Sequence, residues 1–277
     1  MQVESRSQKI LIFLFMFVSL IADYGNGDPA FAEVCQRLIA GIPQAQIHCW
    51  SVPPFSTLAT GFWLGQLGLN QGPQPRLIYH NCAPRQDNPE ARTENEGEGL
   101  TYAKLPNDVI VVGVLAGYSL SFIKQEALEI HSISVSRKGS QFRSRDVFPD
   151  AAVKIINGDR SILGEKIEPD RIPDIPENRI AWIDGYGNIK TTIAAKAIDL
   201  KPSTSVTVRI GDTVSDAVYC DGSFQVPEGT LAFAPGSSGW QNKDGQKVTW
   251  MELFLRGGNA WLRFGKPKIE RSISFSL

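Results

Sequence analysis

Apolar residues run almost unbroken over residues 10–21, with Arg6 and Lys9 ahead of them. A run of this length falls short of the about 20 residues that a bilayer-spanning helix needs. Two readings fit it. One is a signal-peptide core, with a basic flank before it and small residues near Ser19 and Ala22 after it. The other is a strand covered on both faces, preceded by an extension outside the fold. Next comes Asp23-Tyr24-Gly25-Asn26-Gly27, then Asp28, a good helix N-cap, and Pro29, which suits a first helical position. Phe31, Val34, Cys35, Leu38 and Ile39 recur at the helical period until Gly41-Ile42-Pro43 stops it. The order strand, loop, helix puts Asp23 at the carboxyl end of the first strand.

The same patterning predicts strands over residues 47–52, 76–80 and 109–113, and helices over 55–69 and 146–157. Residues 81–99 are polar and read as a long loop, while 129–135 alternate apolar with polar. Strands alternating with helices imply a mostly parallel sheet flanked by helices. Three prolines within residues 169–176 suit a linker. Beyond it, short strands are predicted over 179–183, 189–193, 205–210, 217–220, 230–233, 248–255 and 261–264, which is the pattern of a small all-β barrel or sandwich. The chain therefore divides into an amino-terminal extension (1–15), an α/β domain (16–170) and an all-β domain (177–277).

Composition narrows the function classes. Hydrophobic residues make up 42% of the chain, an ordinary globular share, and 28 basic against 29 acidic residues leave a formal charge of -1. That balance lacks the positive excess of a nucleic-acid binder and gives no polybasic membrane signal. Cys35, Cys49, Cys82 and Cys220 form no Cys-x-x-Cys pair, and His48, His80 and His131 form no ligand cluster. No metal site or disulfide scaffold is expected, and a reducing compartment is the default. The chain carries no P-loop, Rossmann glycine fingerprint, nucleophile elbow or zinc-protease helix. In an open parallel sheet, ligands bind beyond the carboxyl ends of the strands. Asp23, Asn81 and the Gly113 turn sit there. Each has a plainer role: Asp23 can cap the following helix, Asp146 can cap the helix it precedes, and Asp184-Gly185-Tyr186-Gly187-Asn188 can be only a hairpin turn.

The order of these segments is more specific than any one of them. Leu20-Ile21-Ala22-Asp23-Tyr24-Gly25 is followed by Asp28-Pro29 and Val52-Pro53-Pro54. Then come Phe142-Arg143-Ser144-Arg145-Asp146-Val147-Phe148 and Ile183-Asp184-Gly185-Tyr186-Gly187-Asn188-Ile189. The chain ends with Gly236-Ser237-Ser238-Gly239, Met251-Glu252-Leu253 and Gly258-Asn259-Ala260. From about Met16 onward this succession resembles the S-adenosylmethionine hydrolase and halogenase family, the hydroxide adenosyltransferases with their fluorinase and chlorinase relatives. The resemblance implies an α/β domain, a carboxyl-terminal β-barrel and a homotrimer with ligand between subunits. Family members begin almost at the first strand, so the resemblance favours a strand with an upstream extension, and a cytoplasmic protein. Export is the alternative if residues 1–22 act as a signal peptide.

The implied reaction is displacement at C5′ of S-adenosylmethionine, with methionine leaving and no cofactor or metal needed. By resemblance, Asp23 accepts hydrogen bonds from the ribose hydroxyls, and Asp184 and Asn188 grip the methionine end. Phe142 and Ser144 lie beside the reacting carbon, and the segment from Arg256 to Ala260 lines the adenine pocket. The nucleophile machinery departs from the family pattern. Asn81 stands where hydrolases carry an aspartate and Arg143 where they carry a histidine, while Ser144 is similar to a fluorinase hydroxyl. Arg85 or Arg92 can replace the family arginine. Asn81 cannot take up a proton and Arg143 stays charged. Two functions stay open: an enzyme cleaving S-adenosylmethionine with a rebuilt nucleophile site of Asn81, Arg143 and Ser144, or a protein that binds it, or adenosine, without turnover. A structural protein with a decayed pocket is the plainest alternative. Neither nucleic acid nor membrane is an expected partner.

Overall fold

A computed structural model describes residues 15–84, 90, 97–136, 141–222 and 224–277. The first half is built on seven strands: β1 (Met16–Ala22), β2 (Ala45–Ser51), β3 (Arg76–Asn81), β4 (Leu100–Lys104), β5 (Val109–Val114), β6 (Glu129–Ile133) and β7 (Leu163–Lys166). They lie in the order β2-β1-β3-β5-β4-β6-β7. The four strands from β2 to β5 are parallel, whereas β5-β4-β6-β7 pair antiparallel. The sheet is therefore mixed rather than mostly parallel. β4 returns directly on β5 by a short turn at Asp108, whose φ of 57° lets the chain reverse without a crossover helix.

The apolar run that opens the chain becomes β1, between β2 and β3, with all but one of its residues buried. Its side chains alternate between two cores. Val18, Leu20, Tyr79 and Val112 pack under α1 (Pro29–Gly41) and α4 (Phe148–Ile156). Ile21, Ile78 and Val111 face α2 (Thr57–Leu69) and the turns around Leu120 and Ile123. Asp28 caps α1 by accepting from the Ala30 N–H at 2.8 Å, with Pro29 in the first turn. Asp146 does not cap α4. It ends the single turn α3 (Arg143–Asp146), where its carboxylate takes both Arg145 Nε and Nη2 at 2.8 Å.

The second sheet contains β8 (Ile180–Ile183), β9 (Ile189–Ala194), β10 (Ser205–Ile210), β11 (Thr213–Tyr219), β12 (Leu231–Gln241), β13 (Lys247–Leu255) and β14 (Ile273–Ser276), in the order β14-β10-β11-β12-β13-β9-β8. Its pairings are antiparallel except β11 with β12. The sheet curls until its edges touch at one end, where Arg179 bridges Ser272 and the Ile180 N–H donates to the Arg271 carbonyl at 3.0 Å. The chain thus forms an α/β unit followed by a β-rich unit. The strand expected over 261–264 is instead a helical turn, α5 (Ala260–Arg263). The Asn259 side chain accepts from the Leu262 N–H at 2.8 Å, and Gly265, at φ 70°, ends the turn.

The two units pack through aromatic side chains. Phe62 and Phe122 from the first meet Trp240 and Trp250 from the second, alongside Leu58 and Ala181. A Cβ at Gly65 would lie 2.8 Å from the Trp240 ring, so α2 approaches the second sheet as closely as it does only because that position is glycine. The intervening proline-rich segment is held down as well. Lys124, 6% exposed, donates to the Ile172 carbonyl at 2.7 Å and to Asp174 at 2.6 Å, and the Ser121 hydroxyl donates to the Pro173 carbonyl.

Candidate functional site

Three segments of the first unit converge, two of them strand ends and one the start of α3. β1 runs into Asp23-Tyr24 and β3 into Asn81-Cys82, tied by the Asp23 N–H donating to the Asn81 carbonyl at 3.2 Å. The third is the turn at Phe142–Ser144. The Tyr24 ring packs edge-on against Phe142 at 5.6 Å and against Phe31 at 5.2 Å. Its hydroxyl is buried beside Ser144 without hydrogen-bond geometry, and burial pushes its pKa well above the usual tyrosine value. Ser144 is itself buried, and its carbonyl accepts from the Tyr79 hydroxyl. Asp23, Asn81, Phe142 and Ser144 are therefore neighbours at one end of the sheet.

Asp23 does not cap α1. Its Oδ2 accepts from the Phe55 N–H at 2.9 Å, in the loop ahead of α2. Phe55 adopts a left-handed φ of 64° and is 55% exposed. The next residue, Ser56, caps α2 and donates its hydroxyl to Glu270 Oε1 at 2.8 Å, 214 residues away. Cys82 is buried against the same group. Burial, then the charge of Asp23 and, more weakly, Glu270, drive its pKa well above the ordinary thiol range. Asp23, Cys82, Ser56 and Glu270 thus form one polar cluster where the two units meet.

In front of that cluster lies a cavity of about 960 Å³. The 53–56 loop forms one wall, Trp182, Asp184 and Gly187 another, and Asn259, Trp261 and residues 266–270 close it. Trp182 is fixed from behind by an edge-on contact with Trp63 at 5.2 Å, and the Trp261 indole N–H donates to the Pro267 carbonyl. The Asp184–Asn188 hairpin is tied by its own hydrogen bonds. Asp184 Oδ1 accepts from the Tyr186 and Asn188 N–H groups at 3.0 Å, and Oδ2 accepts from the Asn188 amide at 2.9 Å. Lys190, nearly buried, lies 3.6 Å from Asp184 and 3.0 Å from the buried Glu252. This ion cluster fixes the hairpin from inside the β-rich unit.

Not every residue singled out in the sequence lies at this cavity. The Arg143 guanidinium sits over the Phe148 ring at 4.9 Å. Arg256 donates to the Phe224 and Val226 carbonyls and so pins that loop. Ala260 is fully buried in the core of the second sheet, although its neighbours Asn259 and Trp261 do line the cavity. Asp23 itself stands behind Phe55 rather than in the cavity lining. Arg85 and Arg92 lie outside the described residues. Sequence reasoning missed Ser56, Glu270, Trp182, Trp261 and Lys190. Of these, only Ser56 carries a signal, its fitness as a helix cap; the others acquire meaning through long-range packing. Among the described residues, no three His, Cys, Asp or Glu side chains group as metal ligands, and no helix is long and apolar enough to cross a membrane.

No protein-family model and no curated protein matches the chain. Solved structures do. An uncharacterized conserved protein from Thermotoga maritima superposes with a TM-score of 0.72 at 18% identity, covering 94% of this chain and 100% of that one. A conserved hypothetical protein from Thermus thermophilus superposes with a TM-score of 0.62, also at 18% identity, covering 95% and 100%. At this identity the likeness concerns the fold alone.

Proposed function

We propose that this protein binds S-adenosylmethionine and cleaves it by nucleophilic attack at C5′, releasing methionine and an adenosine product. One observation carries the reading: Phe55, whose N–H holds Asp23, lines the same cavity as Asp184. A carboxylate beside one end and a carboxylate-amide hairpin at the other suit a ligand with a ribose diol and an amino-acid head. The volume falls within the range of small-molecule sites, and Phe55, Trp182 and Trp261 supply flat faces for a purine and a cation. In the reaction a nucleophile forms a bond to C5′ while the C5′–S bond breaks, its electron pair leaving on the methionine sulfur. The chain's task is to hold both ends in line and exclude water.

When water is the nucleophile, it must also lose a proton, and the amide of Asn81 cannot accept one. Asn81, Arg143 and Ser144 are therefore proposed as a rebuilt nucleophile site that is slow with water. That same loss of a base supports a second reading, a protein that binds S-adenosylmethionine or adenosine without turnover. A homotrimer, a fully closed barrel and a cytoplasmic location belong to the proposal; the trimer that the resemblance implies, with Asp184 and Asn188 reaching a neighbour's Asp23, is the alternative to a ligand held within the cavity of one chain. Incubating the full chain with S-adenosylmethionine, with and without chloride, and separating the products tests it. Adenosine or 5′-chloroadenosine with equimolar methionine supports cleavage. Saturable binding without product supports the second reading, and no binding removes both.

A further inference from the structure

A second groove, of about 590 Å³, lies on the other side of the 268–270 segment, where the edges of the curled sheet meet. Its lining includes Arg179, Arg209, Lys268 and Arg271, and the one acidic side chain is Glu270. Glu270 is already engaged, with its Oε1 accepting from Ser56 on the cavity side. None of the four cations has an ion-pair partner among the described residues. The chain as a whole is nearly neutral, so this is a local concentration of charge.

The positions are set by the backbone. Arg209 on β10 pairs across the ladder with Ser274 on β14, so both face outward on the same side. Arg179 bridges Ser272, donating to its hydroxyl and to the Glu270 carbonyl. The Arg271 guanidinium passes over Gly211, where an added Cβ would lie 3.0 Å from Nη2. Guanidinium forks beside serine hydroxyls match phosphate oxygens in both charge and direction. With Glu270 included, the lining carries a net charge of +3. Inorganic pyrophosphate carries several negative charges near neutral pH, opposite in sign to that lining. The groove has small-molecule volume, and the chain's formal charge of -1 is without the positive excess of a nucleic-acid binder.

We infer that this groove binds a small anion carrying two or more linked phosphates, such as pyrophosphate or the diphosphate of a nucleotide. The site is separate from the S-adenosylmethionine cavity and shares only the 268–270 wall with it. Calorimetric titration of the full chain with sodium pyrophosphate in about 0.1 M NaCl, where charges beyond a Debye length of about 10 Å are screened, tests it. The expected result is saturable binding of one pyrophosphate per chain. Arg209→Gln and Arg271→Gln should each weaken it by about tenfold, the size of one lost charge-assisted bond. Lys196→Gln, which removes an exposed charge outside the groove, should leave it unchanged, as should Asp184→Ala in the neighbouring cavity. Thermal melts confirm that each variant is folded. Absence of saturable binding overturns the inference. So does equal weakening by Lys196→Gln, which would mean that binding follows overall charge. Tighter binding of a single-stranded oligonucleotide than of pyrophosphate would also overturn it.

Discussion

His80 is fully buried on β3, and neither of its ring nitrogens has a hydrogen-bond partner among the described residues. Its ring fills the space where a Cβ at Gly113 would stand, so the two positions are matched across the ladder. Burial lowers its pKa from 6.5 to about 3. The folded chain therefore stays neutral at His80 while the unfolded chain takes up a proton below pH 6.5. Stability at this position is intact above that value and is lost as pH falls toward 3, by about 3 kcal/mol between pH 7 and pH 4. Urea denaturation across that range should show the loss, and His80→Leu should flatten it. Lys190 gives a second test at this scale. Lys190→Met leaves Glu252 buried without its cation, which should cost about 3–5 kcal/mol by the same measurement. A third concerns the proposed nucleophile site. Asn81→Asp with Arg143→His returns a base and an imidazole, worth about 100- to 10,000-fold in general-base catalysis. Adenosine release measured chromatographically should rise, and adding Asp23→Ala should abolish the gain.

At the scale of elements, legibility in the sequence follows periodicity and capping. The first strand and α1 are readable because a continuous apolar run, an Asp28 cap and a helical repeat agree with one another. β4, β7 and β14 are not: each is at most five residues long and takes its stability from neighbours rather than pattern. α5 reads as a strand because Trp261-Leu262-Arg263-Phe264 is a short, mostly apolar run with two aromatic residues, although Asn259 before it is a cap in plain sight. At the site, the Asp184–Asn188 hairpin is visible as a turn whose residues bond one another locally. The Ser56–Glu270 contact is not, since nothing in a 214-residue separation marks the pair. The proline-rich segment reads as a linker, yet Lys124 and Ser121 clamp it. Lys124→Met should free it: limited proteolysis with mass spectrometry should show faster cleavage within residues 169–176, with about 1–3 kcal/mol lost in stability.

For the whole molecule, the clamp and the aromatic contact hold the two units together beside the cavity rim. Phe55 and the 53–56 loop stand at that rim. β1 has a different consequence, one of timing. It is made before both of its partners, and about 60 residues separate its end from the end of β3. At roughly 5–20 residues per second the ribosome needs about 3–12 s to supply them, far longer than the microseconds in which a free apolar segment collapses. Throughout that interval the strand that comes to lie between β2 and β3 is a sticky, unpaired segment on a growing chain. Cell-free translation should therefore give a higher soluble yield when a chaperone that holds nascent apolar segments is supplied from the start than when it is added after synthesis ends. Equal yields from the two schedules would count against it. The residues that organise the finished sheet are the ones most exposed while it is being made.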